Sequence, residues 1–168
     1  MADKYLYNNA GTITEKAAIV TSAGAGDTGK IPALDATGRI DNSMMPVGIG
    51  ADTATITASE ALAAGDLVNV WNSTGAKVRK ADASTAGKEA HGFVLAAVSN
   101  AAAATVYFEG TDTQVTGQTP GVVYLSAATP GAATGTAPSG TGQVVQRVGF
   151  ATSATAINFQ SLPPVVLA

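Results

Sequence analysis

The stretch that most constrains this chain is a near-repeat between residues 29 and 46. Gly29-Lys30-Ile31 returns nine residues later as Gly38-Arg39-Ile40. Each copy is one glycine, one cation and one isoleucine, followed by polar turn residues. Asp35-Ala36-Thr37-Gly38 suits a type I turn, with Asp first and Gly last. Pro32 and Pro46 bias the residues before them toward extended backbone. The expectation is a series of short extended steps and bends with almost nothing of its own to bury. Ile31, Leu34, Ile40, Met44 and Met45 therefore need a partner surface, either identical copies around a shared axis or a larger assembly.

The rest of the chain limits what that partner is. The net charge of -3 and the lack of a basic patch argue against nucleic acid. Charged residues make up only 12% of the 168, about half the usual share, so Ala, Thr, Gly and Ser fill the surface. Aromatics are 5%, so the core is expected from Val, Ile, Leu and small residues. Small side chains bury little area each, which favours packing between subunits. There are no cysteines, which excludes disulfides and thiolate metal sites. No apolar run reaches the ~18 residues of a membrane helix, and Met1-Ala2-Asp3-Lys4-Tyr5 lacks a signal-peptide core. A soluble protein made inside a cell is expected, with no membrane partner.

Two regions follow from composition. Residues 1–50 read as an extended N-terminal arm and linker. They hold one short strand at Ala17-Ala18-Ile19-Val20, docking aromatics at Tyr5 and Tyr7 beside Leu6, and a flexible linker at residues 23–30. A Gly-rich joint at residues 47–52 marks the boundary. Residues 51–168 read as an all-β domain, a small β-sandwich or barrel. Strands are expected at Thr53–Thr57, Leu67–Trp71, Ala76–Ala81, Gly92–Val98, Thr105–Glu109, Val122–Leu125, Val144–Ala151 and Ala156–Phe159. The pair around Asn72-Ser73-Thr74-Gly75 forms a hairpin with Val78 inward and Lys77 and Arg79 outward. Ser59–Ala64 reads as a single helical turn. Ser99-Asn100 turns a second hairpin, and residues 129–140 form a long Gly/Pro/Thr loop.

Sites of chemistry are sparse. Gly24-Ala25-Gly26-Asp27-Thr28-Gly29-Lys30 fits seven positions of a phosphate-binding loop, but Ile31 replaces the hydroxyl residue that holds magnesium. Pro32 then opposes the helix that must follow. His91 is the only histidine and is expected at a strand start; a catalytic or metal role would need partners the sequence does not nominate. The carboxylates Asp52, Glu60, Asp66, Asp82, Glu89, Glu109 and Asp112 form no metal-loop pattern. Trp71, the only tryptophan, is expected in the core, with carbohydrate stacking as the sharper alternative. No catalytic residue, cofactor or metal is assigned, and the chain is not read as an enzyme.

Two pieces carry a resemblance. Leu34-Asp35-Ala36-Thr37-Gly38-Arg39-Ile40-Asp41-Asn42-Ser43-Met44-Met45-Pro46 resembles linkers common in bacteriophage fibre and head-decoration proteins. It departs from them at Arg39, where Lys is usual, and at Asp41, where Pro is usual. Ala64-Gly65-Asp66-Leu67-Val68, Gly92-Phe93-Val94-Leu95, Gly121-Val122-Val123-Tyr124-Leu125-Ser126, Thr129-Pro130-Gly131 and Val145-Gln146-Arg147-Val148-Gly149-Phe150-Ala151 recur in this order in phage virion β-modules. The resemblance implies a capsid decoration (cement) protein in the virion, on the capsid surface, assembled in the host cytoplasm. It implies a homotrimer with Ile31, Leu34, Ile40 and Met44 at its axis. The partner would be the major capsid protein, with Tyr5, Leu6, Tyr7, Ile19 and Val20 as docking anchors. The alternative is a head or tail fibre that binds a host surface glycan.

Overall fold

The computed structural model describes residues 3–45 and 51–168. The chain divides into two compact units, Met1–Gly50 and Ala51–Ala168. Pro46 and most of the expected glycine-rich joint lie outside the described residues, as do Met1 and Ala2.

The first unit opens with a hairpin, β1 (Lys4–Asn9) and β2 (Thr12–Ala17), paired antiparallel from Lys4↔Ala17 to Asn9↔Thr12. Its two-residue loop has positive φ at both positions, 51° at Ala10 and 94° at Gly11. That geometry matches the right-handed twist of the strands it joins. Asn8 Oδ1 accepts the Gly11 N–H at 2.8 Å and fixes the turn. The strand expected at Ala17–Val20 is therefore displaced. The alternating polar residues of Thr12–Ala17 form the ladder, because the Ala10-Gly11 turn sets the register. Ile19 keeps only a parallel bridge to Pro32, with Ile19 N–H donating to Ile31 O at 3.1 Å and Ala33 N–H donating to Ile19 O at 2.7 Å.

The rest of the unit is a run of carboxylate-stapled turns. The turn expected at Asp35–Gly38 forms, with Gly38 N–H on Asp35 O at 3.0 Å. Asp35 Oδ1 also accepts from the Thr37 amide, the Thr37 hydroxyl and the Arg39 amide. A 3-10 turn at Asn42–Met44 is capped by Asp41, whose Oδ1 accepts the Ser43 N–H at 2.9 Å. The segment expected to be a flexible linker closes on itself through Asp27. Its carboxylate takes the Ala23 N–H and the Lys30 ammonium, each at 2.6 Å. None of the described residues of this unit is buried.

The second unit is all-β. β3 (Thr53–Ala58), β4 (Leu67–Asn72), β5 (Ala76–Lys80), β6 (Gly92–Phe93) and β7 (Ala103–Tyr107) close a barrel in the order β3-β5-β4-β6-β7. Beside it, β8 (Glu109–Asp112), β9 (Gly121–Leu125), β10 (Ala133–Thr134), β12 (Arg147–Ser153) and β13 (Ala156–Gln160) form an antiparallel sheet ordered β10-β9-β12-β13-β8. β11 (Val144–Val145) and β14 (Val165–Val166) make a short ribbon.

Two buried clusters explain the arrangement. Val68, Val78, Val94, Ala104 and Val106 fill the barrel with Ala58 and Leu62. Leu67, Phe93 and Ala81 meet Val123, Leu125, Val148, Ile157 and Phe159 of the sheet in a second cluster. Consecutive strand residues point to opposite faces. Leu67 and Val68 thus serve different cores, as do Phe93 and Val94. Phe93 stacks on Tyr107 with centroids 5.4 Å apart and meets Phe159 at 5.6 Å.

Several expectations change. Ser59–Ala64 is not a helical turn. Leu62 exchanges backbone hydrogen bonds with Val98 at 2.8 and 2.9 Å and is buried, so tertiary pairing overrides local helix preference. Gly92–Val98 is a strand only at its start, since the chain bends at Leu95-Ala96 before Val98 returns to Leu62. Ala103 and Ala104 join β7. The long loop carries β10, and β14 was not expected at all. Gly149 sits at a bulge with φ 131°, where an added Cβ would stand 2.0 Å from Asn158 O. Only glycine lets β12 and β13 approach there.

Candidate functional site

The candidate site is the surface of the first unit. Strand alternation gives the hairpin two faces. Tyr5 and Tyr7 share one with Lys16 and Thr14. This face is partly occupied by the unit's own chain. Tyr5 Oη donates to Gly29 O at 3.4 Å, and Lys16 Nζ reaches the same carbonyl at 3.3 Å while lying 4.8 Å from the Tyr7 ring centroid. The other face carries Leu6 and Ile13, diagonal neighbours across the ladder, with exposures of 74% and 62%. Lys4 and Glu15 pair at 2.6 Å beside them. Such an exposed pair contributes little to stability, and Leu6 and Ile13 remain exposed beside it.

The docking residues expected from sequence are thus divided. Leu6, Tyr7 and Val20 are exposed, whereas Tyr5 and Ile19 are half-buried within their own unit. Ile13 was missed. Its signal was present, in the alternation after the Ala10-Gly11 turn. Of the axis residues, Ile31, Leu34 and Ile40 are exposed, while Met44 is half-buried and Met45 is the exposed methionine.

The carboxylates of this unit are held by donors in their own turns. The Lys30 side chain, then the Ala23 amide, hold the Asp27 carboxyl below its usual range. The Thr37 hydroxyl does the same for Asp35, helped by the Arg39 and Thr37 amides. Ser43, through its side chain and then its amide, lowers Asp41. In the loop that resembles a phosphate cradle, Asp27 occupies both the Ala23 amide and the Lys30 ammonium. Those donors serve the loop's own carboxylate.

In the second unit the singled-out residues have structural roles. His91 is exposed at the start of β6, as expected. Its Nδ1 accepts the Val70 N–H at 3.1 Å and its own N–H donates to Val68 O at 2.8 Å. Trp71 departs from expectation. It is half-buried and belongs to neither buried cluster. Its indole N–H donates to Ser59 Oγ at 3.1 Å, and Arg79 covers one ring face. Lys77 and Arg79, expected outward beside inward Val78, are each half-buried, and neither joins a buried cluster as Val78 does. Among the described residues, no group of three or more His, Asp or Glu side chains is placed to hold a metal ion.

The fold and surface define an all-β chain whose first unit presents apolar side chains with no buried core among its described residues. Compared with models of known protein families, with curated proteins and with solved structures, the chain matches none.

Proposed function

We propose that this protein is a structural component of a phage virion, a capsid decoration protein that binds the outer shell and bridges major capsid proteins. One observation carries the reading. No described residue of the first unit is buried, yet Leu6, Ile13, Val20, Ile31, Leu34 and Ile40 are all exposed. A two-stranded hairpin is marginal by itself in water. Apolar side chains held open by carboxylate-stapled turns gain stability when a surface covers them, at about 25 cal/mol per Å² removed from water. The resemblance of residues 34–46 and of the strand motifs to phage virion proteins supports a shell as that surface.

The mechanism is mechanical. The hairpin lies on the shell through Leu6 and Ile13, with Tyr5, Tyr7, Ile19 and Val20 around them. Ile31, Leu34 and Ile40 meet their counterparts about a three-fold axis, with Met44 alongside. Three first units per assembly then bind together, and linkage raises avidity without new contacts.

The test is occupancy on purified shells. Deleting residues 1–28, or introducing Leu6→Asp with Ile13→Asp, is expected to leave the second unit folded by circular dichroism and to remove the protein from particles. Normal occupancy of both variants would refute docking through this surface.

A further inference from the structure

Asp112 ends β8 and is fully buried, at 0% exposure. Its Oδ1 accepts the Gln114 N–H at 2.9 Å. Its Oδ2 has no hydrogen-bond partner among the described residues. A buried, unpaired carboxylate is costly as an anion and far less so as a neutral acid. Burial accordingly pushes this carboxyl up from its ordinary value. The Gln114 amide opposes that, and the Asp66 carboxylate adds to it.

The charged surroundings are simple. Asp66, in the turn before β4, is bonded to Lys80 at 3.1 Å from the end of β5. β13, which pairs with β8 through Ile157↔Asp112, carries no charged residue over Ala156–Gln160. Residues 113–120, which lead from Asp112 to β9, carry none either.

These eight residues form a strap rather than a strand. Its backbone crosses close to Gly65, where an added Cβ would lie 2.7 Å from Gln114 O. Val115 packs on the larger core cluster. The far end is held by the Gln118 N–H on Ala154 O at 3.1 Å. Between strap and body lies a cavity of about 170 Å³, lined by Gln114, Val115, Thr116 and Gln118 with Asp66 and Gly131 opposite. β8 is laddered to β13 over four residue pairs, so the strap is the cheaper element to open.

We propose that Asp112 is a proton-operated latch: with residues 113–120 closed on the Gly65–Asp66 turn the buried carboxyl is tolerated only as the neutral acid, and loss of the proton favours opening of the strap, which hydrates the carboxylate. The device belongs to the second unit and stands whatever the first unit docks on.

Amide hydrogen exchange of the full chain from about pH 4 to about pH 8, corrected for intrinsic rates, tests it. Strap protection in the unsubstituted protein is expected to fall by up to about tenfold per pH unit from the ordinary carboxylate value of 3.8 up to the carboxyl's raised titration point and to level off above it, and to stay constant in Asp112→Asn. Identical pH profiles in the two proteins would overturn the latch. Should the Asn variant fail to fold, carbon-13 titration of the Asp112 carboxyl in the unsubstituted protein decides. A midpoint above the ordinary carboxylate range, shared by the strap amides, supports the latch. An ordinary midpoint, or strap amides that do not move with it, refutes it.

Discussion

The guanidinium of Arg79 lies 4.5 Å above the ring of Trp71, across the β4–β5 ladder. Its Nε donates to Asn69 Oδ1 at 3.0 Å and a terminal nitrogen donates to Gly87 O at 2.7 Å. One side chain thereby ties a half-buried indole, a buried amide and the loop after β5. A planar fork does this and an ammonium does not. Arg79→Lys is expected to lower stability by about 1–3 kcal/mol, because Asn69 Oδ1 loses its donor. Urea denaturation followed by the fluorescence of Trp71 reads both the stability and the altered ring environment.

Gln146 is a second tie, 1% exposed. Its Oε1 accepts the Ala90 N–H at 2.7 Å, and its Nε2 donates to Ala90 O at 2.9 Å and to Ser161 Oγ at 3.1 Å. Gln146→Ala leaves the buried Ala90 N–H without a partner and opens a void. About 3 kcal/mol of destabilisation is expected, since an unsatisfied buried group alone costs about 1–3 kcal/mol. Denaturant midpoints at unchanged m-value check it.

Acidification acts on the first unit through its turns. Asp27, Asp35 and Asp41 are held below their ordinary value of 3.8 by the donors around them. Their contribution is complete above the ordinary carboxylate range and is lost as pH falls through the depressed values. Asp112 has the opposite sign. Its contribution is complete below 3.8 and is lost as pH rises through its raised value. Amide shifts of Thr37 and Ser43 are therefore expected to stay native-like down to pH values below 3.8, then move together with loss of their turns. Movement already at or above that value would contradict the lowered carboxyls.

Ile31 and Ile40 are 50% and 51% exposed in a single chain. Ile31→Asp with Ile40→Asp therefore disturbs no core within the protomer. On the proposed three-fold assembly, the expected result by light scattering is a shift from trimer to monomer with the second unit's melting temperature unchanged. An unaltered mass would remove these residues from the axis.

Local chemistry made much of this chain legible. Asp35-Ala36-Thr37-Gly38 dictates its turn because the aspartate satisfies three donors within four residues. Leu67–Trp71 and Ala76–Ala81 read as a hairpin because their alternation and the Asn72–Gly75 turn agree. The candidate surface was half legible. Leu6 was visible as an apolar residue near the start, and Ile13 was legible from the alternation after the Ala10-Gly11 turn, but that the two share one face followed only from the ladder, which pairs Leu6 with Glu15 and Asn8 with Ile13.

The all-β class, the turn positions and the poverty of burying side chains in the first fifty residues were determined by sequence alone, because alternation, glycine, proline and aspartate act over a few residues. Tertiary structure decided which face each strand turns inward and which core it serves. It sent Leu67 and Val68 to different clusters, drew Leu62 to Val98 instead of into a helix, and sealed the Asp112 carboxyl from water. Those outcomes depend on residues far apart in sequence meeting in space, which no local pattern specifies.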